Sequence, residues 1–318
     1  MIFTGNLATA GAGGGANIQT VGEFDPPAYA ELKDVVFSNN HATGGGGLFI
    51  GNSTGVVENV TFDTNDVDRR GGGMLVEVST LTLTNVTFYG NISVDSLADP
   101  KGGGGLMMLD SNITLNNATF SGNNSQVTGG DAIRSTTNSV LTINNSIFWG
   151  DTDDEILDDG SGTLTVSDSV VEGGFTGTNI ITTDPLLSAL ADNGGFTETM
   201  AIGSGGSAYD AGNNGTCASE DQRGVSRPQG LNCDIGAFEL EVNLGFTDTT
   251  VADFNAGTVG SCIVDGGIGN GALRLNIPTS TSCVFTSQIF DATEPVEWTT
   301  LASTETLPAG TTIGFEAR

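Results

Sequence analysis

The chain repeats a short pair of motifs, and a repeat of this length decides the fold before any single residue is considered. Phe3–Asn6, Phe37–Asn40, Phe62–Asn65, Phe88–Asn91 and Phe120–Asn123 read F-x-x-N, and Phe148–Asp151 carries Asp in the last place. Glycine runs follow the first five: Gly13–Gly15 before Ala16, Gly44–Gly47 before Leu48, Gly71–Gly73 before Met74, Gly102–Gly105 before Leu106, and Gly129–Gly130 before Asp131. The steps between the phenylalanines are unequal, so loops of different length interrupt a constant unit.

Ahead of most of these phenylalanines runs a period of two. Leu, Ile and Val alternate with Thr, Ser and Asn in Thr80–Asn85, Asn112–Asn117, Val140–Asn145 and Thr163–Asp168. That is the pattern of a half-buried strand, and no helical period competes with it here. The physical reading is all-β: a right-handed parallel β-helix in which each unit makes one coil of about three strands. About seven coils, stacked at roughly 4.8 Å, give a rod of roughly 30–35 Å. Leu81, Ile113, Leu141 and Leu164 then form one internal ladder, and Leu83, Leu115, Ile143 and Val166 a second. Phe62, Phe88, Phe120 and Phe148 form an aromatic column. Asn59, Asn85, Asn117, Asn145 and Asp168 take equivalent turn positions, where a short polar side chain bonds to its neighbour in the next coil or to turn backbone. The glycine runs allow a corner where a Cβ would clash. All these residues read as scaffold.

Charge narrows the partners. Nine Lys+Arg face 38 Asp+Glu, a formal net charge of −29. Nucleic acid is excluded, because no basic surface exists to neutralise phosphates. Anionic membranes are disfavoured for the same reason. An extracellular or saline setting fits, as does weak calcium binding, and simple solubility is the plainer account. The four cysteines fall in two local pairs, Cys217/Cys233 and Cys262/Cys283. Neither has C-x-x-C spacing, and with His41 the lone histidine a conventional His/Cys zinc site is ruled out. Two disulfides and an oxidising compartment are expected. The chain opens inside a repeat, so no signal peptide is expected in it, and no membrane-spanning run is expected either. Both ends read as cut from a larger secreted protein.

The repeats fade after Gly174. From Thr183 come Asp184-Pro185-Leu186-Leu187, Asp192-Asn193-Gly194-Gly195, Ser207-Ala208-Tyr209-Asp210-Ala211-Gly212, Asp221-Gln222-Arg223-Gly224, Arg227-Pro228 and Cys233-Asp234-Ile235-Gly236-Ala237-Phe238-Glu239. This order resembles the module that ends the β-helix regions of choice-of-anchor Q bacterial surface proteins. One departure is Gly203–Ala208, two residues longer than the usual Gly-Ser-Pro-Ala. The F-x-x-N and G-G-[ALI] repeats resemble those of polymorphic outer-membrane proteins, which are adhesin-type autotransporters. The open end of a β-helix also needs covering on physical grounds. Residues 183–240 are therefore expected to cap the helix of residues 1–182. Arg223, Arg227, Asp210, Asp221, Asp234 and Glu239 should make charge-assisted bonds within that cap.

Residues 241–318 alternate strand-like stretches with Gly and Pro turns: Ser261–Val264, Ala272–Ile277, Cys283–Phe290, Val296–Leu301 and Thr311–Phe315. An antiparallel β-sandwich, incomplete at Arg318, is expected, and the segment resembles jelly-roll modules of large bacterial surface proteins.

The densest acidic run holds Asp151, Asp153, Asp154, Glu155 and Asp158, closed by Gly160, in place of a glycine corner. Such carboxylates can hold Ca²⁺, though the spacing is not that of an EF-hand, and a solvated acidic loop is the alternative. No other cofactor is expected. A lyase needs a base, often Arg or Lys; the coils offer Lys33, Arg69, Arg70, Lys101 and Arg134, and Arg69, Arg70 and Lys101 are placed in loops before glycine corners. No carboxylate pair faces a common cleft as glycosidases require. The outward column Thr82, Thr114, Thr142 and Thr165 reads as ordinary strand threonine. The expected function is structural display or adhesion at the cell surface, toward carbohydrate or a neighbouring cell. The alternatives are a polysaccharide lyase or glycoside hydrolase, and a filament subunit joined by strand addition or coil stacking.

Overall fold

The computed structural model describes residues 1–20, 26–94, 102–126, 130–136, 138–151, 153–160 and 162–241, with the backbone of four short strands beyond. The chain divides into two compact units, Met1–Val242 and Asn243–Arg318.

In the first unit three parallel sheets run side by side along one axis. The longest contains Ala28–Ser38, Ser53–Asp63, Thr80–Tyr89, Asn112–Ser121 and Thr163–Val171 as neighbours in coil order, with Val140–Asn144 and Ile147–Phe148 between the last two. A second sheet stacks Leu7–Ala12, His41–Gly44, Asp66–Arg70, Ile92–Ser93 and Asn124–Ser125. The third stacks Ala16–Gln19, Leu48–Gly51, Met74–Glu77, Leu106–Leu109, Ile133–Thr136 and Ile156–Asp158. Each coil therefore visits the three sheets in turn, and the architecture is a parallel β-helix.

Register is strict. Leu81 pairs with Ile113, Ile113 with Leu141 and Leu141 with Leu164, while Leu83, Leu115, Ile143 and Val166 pair alike. The rings of Phe3, Phe37, Phe62, Phe88, Phe120 and Phe148 stack in sequence, with centroids 5.1, 5.2, 4.4, 4.5 and 5.0 Å apart. Phe37 through Phe148 are fully buried. Burial contributes about 1.5–3 kcal/mol per ring, and stacking adds about 0.5–1.5 kcal/mol.

The long strands bend once, at Asn59, Asn85, Asn117, Asn145 and Asp168, where φ is 54, 53, 51, 47 and 50°. This left-handed backbone is tolerated best by a short side chain that bonds locally. At the glycine corner the coils approach most closely. A Cβ on Gly72 would lie 2.4 Å from the carbonyl oxygen of Gly104, and Gly71 has φ 63°. Thr178–Ile181 pairs with Thr163–Val171, and Phe175 and Ile180 pack against the core at the last coil.

Residues 183–241 do not lie across the end of the helix as a cap. They run back along the outside of the long sheet, over the half of each strand that follows the bend. Thr61 Oγ1 donates to Glu198 O (2.7 Å), Thr87 Oγ1 to Gln222 Oε1 (2.8 Å), and Ala237 N to Thr119 Oγ1 (3.0 Å). Further on, the same outward track turns apolar at Ile147 and Val170, which pack with Ile202, Ala208, Ile235 and Phe238. The side of the sheet, rather than its end, offers this module complementary chemistry.

In the second unit Thr258–Gly260 pairs antiparallel with Val284–Thr286, and Cys262–Asp265 with Ala272–Leu275. The antiparallel hand agrees with the sequence reading. The stretches 296–301 and 311–315 lie outside the described residues, as does Cys283.

Candidate functional site

The last residue of each F-x-x-N motif turns inward and forms a buried amide ladder. Asn40 N and Nδ2 both donate to Asn65 Oδ1 (3.1 and 2.9 Å), while Asn40 Nδ2 also reaches back to Phe3 O (2.9 Å). Asn65 repeats this toward Asn91 and Phe37, and Asn91 toward Asn123 and Phe62. Each amide thereby satisfies its own donors and the next acceptor in a space closed to water. A parallel serine ladder links Ser53, Ser79, Ser111 and Ser139, each backbone N–H donating to the next Oγ at 3.0–3.3 Å. By contrast, the bend asparagines mostly spend their amides on the flanking module. Asn85 Nδ2 reaches Glu220 O (2.9 Å) as well as Asn59 Oδ1 (3.3 Å), and Asn145 Nδ2 reaches Thr216 Oγ1 (2.9 Å).

The acidic run ends the amide ladder. Asp151 occupies the asparagine position, and its Oδ1 accepts from Asn123 N and Nδ2. Glu155 replaces the glycine that elsewhere packs against a phenylalanine, and it is buried. Neither Asp151 Oδ2 nor Glu155 Oε2 meets a donor from the rest of the protein. The two carboxyl groups are close enough to act on each other's titration. Burial pushes Asp151 up to about 6. Burial, then interaction with and repulsion by Asp151, push Glu155 up to about 11. At neutral pH the pair holds one proton between two carboxyls. Asp153 and Asp154 point to solvent, and Asp158 sits in the third sheet. Among the described residues no three His, Cys, Asp or Glu side chains converge as a metal site requires. Asp151 and Glu155 turn toward the interior, whereas Asp153 and Asp154 are exposed and Asp158 lies in the strand Ile156–Asp158.

Arg223 and Arg227 tie the flanking module together. Arg223 Nε donates to Asp221 Oδ2 (2.8 Å), and its guanidinium lies 3.7 Å from the centre of the Phe238 ring. Arg227 Nη1 donates to Asp234 O (2.7 Å) and Glu239 Oε2 (2.9 Å), and Nη2 to Gly236 O (2.7 Å). Asp234 accepts from Asp210 N and Leu240 N, both at 2.6 Å. Burial lowers Arg227 and raises Asp234, and it raises Glu239 to about 7. These groups face one another in the interior, so their chemistry is spent on holding loops. A disulfide joins Cys217 to Cys233.

Outside, Arg69 and Arg70 close the strand Asp66–Arg70 rather than lying in a loop, and Arg70 is 3.6 Å from Glu77. His41 faces Asp66 (2.7 Å from Nδ1) on the outer face of the second sheet, with Asp68 3.8 Å from Nε2. That pairing across adjacent coils was open to prediction from the repeat, since His41 and Asp66 each follow an F-x-x-N. A cleft of about 540 Å³ opens between the last coil and the flanking module. Asp168, Asn179, Asn213, Asn214 and Asn232 line it above Ile180 and Ile181.

A family model for the right-handed β-helix region matches residues 15–189, the stretch that holds the ladders. The chain belongs to this family. No curated protein matches it. Right-handed β-helices carry both surface-structural and enzymatic roles, so this fold is compatible with either and does not choose between them. Among the described residues no helix is long and apolar enough to cross a membrane.

Proposed function

We propose that this right-handed β-helix is a secreted, cell-surface rod that acts as a spacer and an adhesive surface, with a flanking module of the choice-of-anchor Q type. One observation carries the reading: the internal columns run unbroken from coil to coil and are braced along one side by residues 183–241. Polar groups that a reaction would use are committed to that brace, as with Gln222, Asp221 and Glu239. The disulfide supports an oxidising, extracellular setting. Purified protein should bind intact cells or a polysaccharide panel without altering them. Release of reducing ends, or of unsaturated uronates detected by ultraviolet absorption, from any member of the panel would replace this reading with a carbohydrate-active enzyme.

A further inference from the structure

Resting on that adhesive reading, we propose that the cleft between the last coil and the flanking module binds a neutral saccharide. Its volume, about 540 Å³, falls in the range of small-ligand sites, roughly 300–1,000 Å³. The floor is aliphatic, from Ile180 and Ile181, and suits the C–H faces of a sugar ring. The walls present acceptors. Asn179 gives its Nδ2 to Asp168 (2.7 Å) and Asn232 gives its Nδ2 to Asp210 O (3.1 Å), which leaves both side-chain carbonyl oxygens for ligand hydroxyls. Asp168 receives a second donor from Asn213 Nδ2 (3.0 Å), so its carboxylate is held in place with lone pairs to spare. An acceptor-rich wall on a chain of net charge −29 disfavours anions and fits polyols, whose hydroxyls donate.

The site is also built in advance. Asn213 N is anchored to Asn145 Oδ1 (2.8 Å), and Cys233 N donates to Asn214 Oδ1 (2.8 Å) beside the Cys217–Cys233 disulfide. Asp168 holds a bend position that asparagine fills in the four preceding coils, and it lies at this cleft. Walls fixed in this way lose little entropy on binding.

The test is a glycan array with neutral and uronate arms, followed by calorimetric titration of the best neutral glycan. Native protein should bind neutral glycans in preference to uronates. Asn232→Trp, at an exposed lip, should weaken binding at least tenfold with the melting temperature unchanged, and the milder Asn232→Ala should weaken it several-fold. Preference for uronates, absence of any glycan binding, or unchanged affinity in a folded Asn232 variant would overturn the proposal. Cell adhesion that survives in Asn232→Trp would remove the cleft while leaving the rod in place.

Discussion

In the coils, Asn65 and Asn91 make the same bonds to the same kinds of atom, one turn apart. In residues 183–241 each polar group has a partner of its own kind: Asp221 holds Arg223 and the Glu239 amide, while Glu239 holds Arg227 and the amides of Gln229 and Asp234. One region secures its register by identity between neighbours, the other by individually placed charges. The difference teaches where each region is vulnerable. An error in a column is shared by two neighbouring coils, whereas an error in the module strands one buried ion.

The largest effect should come from the aromatic column. Phe88→Ala removes a ring stacked on both faces and should cost about 3–5 kcal/mol, seen as a lower denaturant midpoint. Phe3→Ala, half-exposed with one stacked neighbour, should cost clearly less, and equal losses would refute the column as the source of stability. Next, Arg227→Ala leaves Glu239 and the Asp234 carbonyl without their cation, at about 3 kcal/mol. Hydrogen exchange should show protection lost mainly in residues 183–241 and kept in the coils. Uniform loss would mean that the two regions unfold as one.

Asn91→Ala should follow at about 2 kcal/mol, since it leaves the donors of Asn65 and the carbonyl of Phe62 unmet. The smallest change should have the opposite sign. Asp151→Asn restores the amide that the ladder has lost and should stabilise by about 1 kcal/mol at neutral pH. The same site sets a pH dependence. Both folded carboxyls titrate above their ordinary values of 3.8 and 4.5, so the native state binds more protons than the unfolded chain. Their contribution is complete below those ordinary values and is lost as pH rises toward about 11. Melting temperatures between about pH 4 and 9 should therefore fall less steeply in Asp151→Asn and Glu155→Gln than in the native protein.

Much of the helix could be read from spacing, because a period of two and a recurring phenylalanine leave few other ways to bury Leu81, Ile113 and Leu141. The amide ladder was less legible. The spacing shows that an asparagine recurs after F-x-x, and only the closed coil shows that its amide points inward. The course of residues 183–241 was hidden for a related reason. Thr61, Thr87 and Thr119 look like any outward strand threonine, so nothing local marks the track that the module follows. The acidic run gave no sign of its division, since Asp151 and Glu155 are drawn inward at the end of the amide ladder while Asp153 and Asp154 between them are exposed.

The flanking module has a mechanical corollary. Gln222 Nε2 donates to Thr61 Oγ1 while its Oε1 accepts a hydrogen bond from Thr87 Oγ1, and Asn117 and Asn145 are tied to Ala218 and Asn213 nearby. One continuous stretch thus spans several turns of the spiral. Across these turns fraying cannot proceed one turn at a time, since lifting any one of them also tugs on a tether shared with its neighbours, and a pull along the axis is distributed among them all.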